Sequence, residues 1–238
     1  VSGRQRENEL IRVIDLQGRR FLSGVAGFAL LVLAGARPAA SPDSAARLGA
    51  GQAGRLLLDS AGTHIWFQGD ATLGRFEGTA TRTSGWAEVP DTLGFLGGRG
   101  HIEIEVASFR TGNGMRDGHL RGEMQAGRYP RITFEVRDVV AADLAVVDSL
   151  LAGVPQFSDD IPAARVFIEG DLTVRDQTRS VRLPARVRMA GDTMRVRGRL
   201  ATRFTELGMK PPTRMLGTVK VKDDIVLLID ARFGRGGA

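Results

Sequence analysis

The side chains able to do chemistry are few and far apart. The 238 residues contain no cysteine and three histidines, His64, His101 and His119. Without cysteine there are no disulfide frameworks, zinc ribbons, iron–sulfur clusters or thiol nucleophiles. Three scattered imidazoles make a poor metal site, so neither a metal nor a cofactor is expected. The acid pairs Asp159-Asp160 and Asp223-Asp224 are adjacent in sequence. In a strand, neighbouring side chains point to opposite faces, so these pairs cannot converge for acid–base work. No GxSxG elbow, HExxH or P-loop occurs. Gly112-Asn-Gly-Met-Arg-Asp-Gly118 precedes a helical stretch, but its spacing is GxGxxxG, and the strand after it alternates as an antiparallel one does. A dinucleotide fold needs buried parallel strands with near-continuous apolar runs. No catalytic residue is assigned, and nothing here argues for an enzyme.

One polar constellation is Arg116, Asp117, His119 and Arg121. Leu120 and Met124, four apart, predict a short helix within 112–126. On it Asp117 and Arg121 can pair, while Leu120 and Met124 turn inward as a lid. Two roles follow. As a plug, the helix has Asp117 capping its first turn. As a recognition element, it offers Arg116 or His119 to a phosphate or other anionic head group, which arginine suits through paired hydrogen bonds.

What must position these residues is mostly strand. Apolar and polar residues alternate at Ile102, Ile104 and Val106, at Ile132, Phe134 and Val136, and from Val166 to Val174. The same period runs through Val181–Met189 and Met194–Phe204, as in antiparallel strands with one solvated face. The spacing predicts strands at 55–60, 63–70, 74–84, 100–108, 130–140, 164–176, 179–190 and 193–205, with 219–232 as a ninth. A second short helix is expected over 142–152, capped by Asp143. This all-β pattern fits a closed up-and-down barrel or a sandwich, and about eight strands enclose room for one slender ligand. Phe67, Phe76, Ile104 and Phe134 then point inward from the first half. Ile168, Leu183, Val196 and Phe204 do so from the second, and Met115, Leu120 and Met124 from the helix. They either fill a dry core or line a pocket, and flexible thioethers suit a pocket.

Net charge is +6, carried almost entirely by arginine. Arg182, Arg186 and Arg188 fall on the outer face of one predicted strand, and Arg195, Arg197 and Arg199 on that of the next. Like charges facing each other across a ladder cost some tenths of a kcal/mol each. Either Glu103, Glu105 and Glu135 neutralise them, or they dock on an anionic membrane surface, where each cation is worth about 1 kcal/mol. Nucleic acid is not expected, because no surface aromatics interleave with the arginines.

Arg19-Arg20 precedes a charge-free run over 21–35 that ends in Ala34-Gly-Ala36. That is a signal-peptide pattern with cleavage after Ala36, and the run is short of the ~20 residues that span a bilayer. The residues ahead of the arginine pair are long and mixed in charge for a signal's leader, so the natural start is expected later. Residues 1–36 are thus read as extension and signal peptide, 37–54 as a flexible linker and 55–234 as the folded domain.

Thr111-Gly-Asn-Gly-Met-Arg-Asp-Gly-His-Leu-Arg121, continuing to Arg128-Tyr-Pro-Arg-Ile-Thr-Phe134, resembles the hallmark segment of the YceI family. Further matches follow in order: Gly170-Asp-Leu-Thr-Val174 with Thr178-Arg-Ser-Val181, Arg203-Phe-Thr-Glu-Leu-Gly208, and Asp224-Ile-Val-Leu-Leu-Ile-Asp230. Thr63-His-Ile-Trp-Phe67 with Gly74-Arg-Phe-Glu-Gly78 is similar to its opening hairpin. Against that pattern, residues 141–162 read as an insertion. The resemblance implies a lipocalin-like antiparallel β-barrel with one or two short helices. It further implies a non-catalytic periplasmic protein whose pocket holds a polyisoprenoid or other long-chain lipid. The alternative is a stress or interaction protein with a solid barrel core. The sequence leaves open whether the barrel forms a homodimer.

Overall fold

The period-two alternation is realised as one continuous antiparallel sheet. The computed structural model describes residues 54–90, 95–157, 163–214 and 219–235. The expected signal segment, nearly all of the linker and Asp159-Asp160 lie outside them. In chain order the strands are β1 (Gly54–Leu58), β2 (His64–Ala71), β3 (Gly74–Ala80), β4 (Thr83–Val89), β5 (Arg99–Glu105) and β6 (Phe109–Arg110). There follow β7 (Arg131–Ala141), β8 (Ala164–Val174), β9 (Gln177–Ala190), β10 (Thr193–Arg203), β11 (Thr213–Arg214) and β12 (Val219–Gly234). Helix α1 (Gly114–Glu123) separates β6 from β7, and α2 (Leu144–Leu150) separates β7 from β8.

The order β1-β4-β5-β7-β8-β9-β10-β12 closes on itself, because Leu57 and Leu58 pair with Gly234 and Phe233. The fold is an eight-stranded antiparallel barrel, and the sandwich is ruled out. Beyond its contact with β1, β12 also pairs with β2, from Asp230 opposite His64 to Ile225 opposite Gly69. β1 and β2 therefore form one bent wall against β12. β4 and β3, and β5 and β6, bend in the same way.

Two strand expectations are corrected. The strand expected over 100–108 ends at Glu105, and Val106–Ser108 form a 3₁₀ turn. The stretch predicted as a single strand over 74–84 is two strands, broken at Thr81-Arg82, and β4 runs on to Val89. The inward positions of β4 are Gly85, Ala87 and Val89, too small to announce an apolar face. Tight hairpins join β8 to β9 and β9 to β10, with Arg175 (φ 57°) and Gly191 (φ 58°) taking the left-handed conformation that closes a two-residue turn.

Inside the barrel the core forms two clusters. One gathers Val166, Ile168, Val187, Met194 and Phe233. The other gathers Ile65, Phe67, Leu172, Phe204 and Ile225. Phe134, Leu200 and Ile229 pack against both. A third cluster lies on the outer wall. There Val147 and Leu151 from the α2 segment, together with Phe157, cover Leu228, Trp66 and Phe167, whose strand neighbours face inward. The described part of the segment read as an insertion, up to Phe157, is thus a patch laid on the outside of the barrel. Asp143 caps α2 as predicted, accepting from the N–H groups of Ala145 (2.8 Å) and Val146 (3.2 Å). Among the described residues no helix is long and apolar enough to cross a membrane.

Candidate ligand-binding cavity

The cluster of Ile65, Phe67, Leu172, Phe204 and Ile225, at the end called upper from here on, surrounds a cavity of about 140 Å³ whose lining side chains are all hydrocarbon or thioether. That is close to the ~150 Å³ of an apolar cavity that stays dry and takes up benzene. Phe67, Phe76, Ile104 and Phe134 reach it from β2, β3, β5 and β7, and Leu183 and Phe204 reach it from β9 and the end of β10. The first two are placed by glycines across the ladder. Phe67 pairs with Gly78 and Phe76 with Gly69. A Cβ on Gly69 would meet Cζ of Phe76 at 2.6 Å, and one on Gly78 would collide with the ring of Phe67. Each ring lies flat over the vacant position opposite, which fixes both aromatics at the cavity wall.

α1 covers this end. Leu120 and the buried Met124 line the cavity, as the lid pattern predicts. The expectation that Met115 points inward is corrected, for it is 76% exposed. At 100° per residue it stands well over a right angle from Leu120 and opposite Met124. Arg116 and His119 are exposed on the same helix. The capping expectation is corrected too. Asn113, not Asp117, caps α1, accepting from the N–H of Arg116 at 3.1 Å. Asp117 turns back instead to accept from the N–H (2.8 Å) and hydroxyl (2.6 Å) of Thr111. That hydroxyl bond in the first place, and Arg110 and Arg121 further off, hold the Asp117 carboxyl below the usual carboxylate range.

Ile168 and Val196 do not reach the main cavity. They line a second apolar space of about 60 Å³ at the opposite end, with Val187, Met194 and Phe233. Alternation alone could not separate the two, because residues of one inward face share a periodicity whatever their depth. Other lining residues went unassigned. Leu172, Leu227 and Ile229 also line the main cavity from inward strand positions, whereas Leu207 and Met209 lie in the loop after β10, where no period marks them.

The outer arginines are not neutralised by Glu103, Glu105 and Glu135, which pair instead with Arg131, Arg82 and His101. Register does put Arg195 opposite Arg188 and Arg197 opposite Arg186. The carboxylates come from next door and from above. Arg195 grips Asp230 of β12 with two bonds of 2.7 Å, and Arg197 reaches the same carboxylate at 3.1 Å. Asp148 of α2 takes Arg165 and Arg186 together, at 2.7–3.1 Å. Arg165 first and Arg186 next hold the Asp148 carboxyl below its ordinary range against the opposing effect of burial. Arg182 pairs with Glu169 at 3.2 Å. No group of three or more histidine, aspartate and glutamate side chains among the described residues could hold a metal ion.

A closed antiparallel barrel around an apolar cavity, with a helix over one end, defines the class. The sequence pattern of the YceI-like domain matches residues 57–233, and the chain belongs to the YceI family. Among solved structures it is similar to BcnA of Burkholderia cenocepacia, at 19% identity and a TM-score of 0.58 over 74% of this chain and 98% of that one. It is also similar to a polyisoprenoid binding domain from Saccharophagus degradans implicated in plant cell wall breakdown, at 16% identity and a TM-score of 0.56 over 76% of this chain and 98% of that one. A YceI protein of Campylobacter jejuni aligns at 17% identity and a TM-score of 0.51, over 67% and 85% of the respective chains. No curated protein matches the sequence.

Proposed function

We propose that this protein is exported to the periplasm, where it carries or stores a polyisoprenoid or similar long-chain amphiphile, with the chain in the upper cavity and the head group at the α1 end. The observation that carries the reading is the cavity lining: a space walled wholly by apolar side chains offers nothing to a polar substrate. Each buried CH₂ contributes about 0.8 kcal/mol, so an apolar chain is what such a space rewards. The relative from Saccharophagus degradans, described as a polyisoprenoid binding domain, has the same fold. The charge-free run over 21–35 supports export. Exchange with an anionic membrane surface belongs to this reading, but not through Arg186, Arg195 and Arg197, whose charges already face Asp148 and Asp230.

Native mass spectrometry of protein purified without detergent tests the proposal. A bound species with the mass of a long-chain lipid is expected. A ligand-free barrel that takes up no added isoprenoid alcohol would favour an interaction protein with a solid core.

A further inference from the structure

The two cavities lie in line along the barrel, and one level of residues separates them. On β8, Leu172 lines the upper chamber and Ile168 the lower, with Gly170 at the inward position between. On β9, Leu183 and Val187 flank Ala185; on β10, Leu200 and Val196 flank Gly198; on β12, Ile229 and Phe233 flank Ala231. Four successive strands of the ring thus place glycine or alanine at the division, and all four residues are buried.

The missing volume comes from the other wall. Ile102 of β5 and Phe134 of β7, paired across their ladder, each face both chambers. A Cβ on Gly170 would meet Cε2 of Phe134 at 2.8 Å, so the phenyl ring occupies the room that Gly170 leaves. A Cβ on Gly198 would meet the side chain of Leu183 at 3.0 Å, so Leu183 fills the room that Gly198 leaves. The barrel is narrowed at its waist by side chains laid across glycines, Phe134 and Leu183, and of these two the Phe134 ring touches both spaces.

We propose that Phe134 sets the length of the apolar chain this barrel accepts, by flooring the upper chamber at the waist. This rests on the ligand-binding reading above and adds to it a specificity-determining residue. The partition is made of side chains and not of backbone, and Phe134 is the largest of them, so shortening it opens a path between the chambers without disturbing a strand.

The test uses straight-chain alcohols from propanol to dodecanol, titrated calorimetrically into the wild type, Phe134→Ala and the milder Phe134→Leu. In the wild type, affinity should rise about fourfold per added methylene and then level off once the chamber is full. In Phe134→Ala the rise should continue at that rate beyond the wild-type plateau, with Phe134→Leu between. A plateau at the same length in all three, with the variants folded by circular dichroism, overturns the proposal. A wild type that binds none of the alcohols overturns the ligand-binding reading and the length role with it. Xenon in pressurised crystals reads the waist without any lipid. Two separate xenon positions that merge in Phe134→Ala support the partition, and one continuous site in the wild type overturns it.

Discussion

Asp230 stands on the outward-facing side of β12, yet it is 2% exposed, and Arg195 of the neighbouring strand holds both its oxygens at 2.7 Å. An outer-wall carboxylate becomes buried because the α2 segment and Phe157 cover this part of the barrel. Arg195 is itself half-exposed, but Arg197, which reaches the same carboxylate at 3.1 Å, is buried, and breaking a pair that is buried on both sides costs about 3–5 kcal/mol. Asp230→Ala is therefore expected to lower stability by that order in urea unfolding, while ligand binding in the folded fraction stays unchanged, because the pair lies outside the cavity wall. A loss below about 1 kcal/mol would mean that the pair behaves as an exposed salt bridge.

Asp148 makes stability depend on acid. Arg165 and then Arg186 lower its carboxyl pKa in the folded state, so the folded protein favours the ionised form more than the unfolded chain does. That contribution is complete above the unfolded value of about 4 and is lost as pH falls through the lowered folded value. Asp148→Asn should melt below the wild type at neutral pH, with the gap closing as the solution is acidified past pH ~4. A gap that stays constant over the same range would remove Asp148 from the acid response.

Much of this barrel was legible because its strands are long and one-sided. The alternation in 164–176 and 179–190 located β8 and β9 to within two residues, and Asp143 announced its helix. The misses have physical causes. β4 hides behind Gly85 and Ala87: at the first the backbone of β5 comes close, so that a Cβ would collide with the carbonyl of His101. The ligand face of α1 was read with Met115 included, although helical geometry separates it from Leu120 and Met124. Partners for the arginines were sought in β5 and β7. They lie on β8, on β12 and on α2, and the last contact depends on where the 142–157 segment folds back. Depth along the barrel, which divides Ile168 and Val196 from the upper cavity, has no signature in a period of two.

Export predicts a processed chain. With cleavage after Ala36, intact-mass measurement of protein from the periplasmic fraction should give a species beginning at Arg37. Full-length protein found in the membrane pellet, with residues 21–35 retained, would overturn both the cleavage and the location.

The helix over the cavity divides stability from recognition between its two faces. Met124 is buried against the cavity, so Met124→Ala should cost about 2–5 kcal/mol of stability, as large-to-small changes in a core do. Arg116 and His119 are exposed, and their side chains make no bond to another described residue, so Arg116→Ala and His119→Ala should leave the melting temperature unchanged. If the head group of a bound amphiphile sits at this end, the same two changes weaken a phosphorylated isoprenoid while sparing the matching alcohol. A charge-assisted hydrogen bond contributes about 1.5–3 kcal/mol, so the expected loss for the phosphate is about tenfold or more per residue. Paired titrations of isoprenoid alcohol and isoprenoid phosphate separate the outcomes. Equal losses for both ligands, with a lowered melting point, would make the exposed face part of the plug. Unchanged affinity for both would place the head group away from α1 and leave Leu120 and Met124 as the helix's only contribution to the cavity.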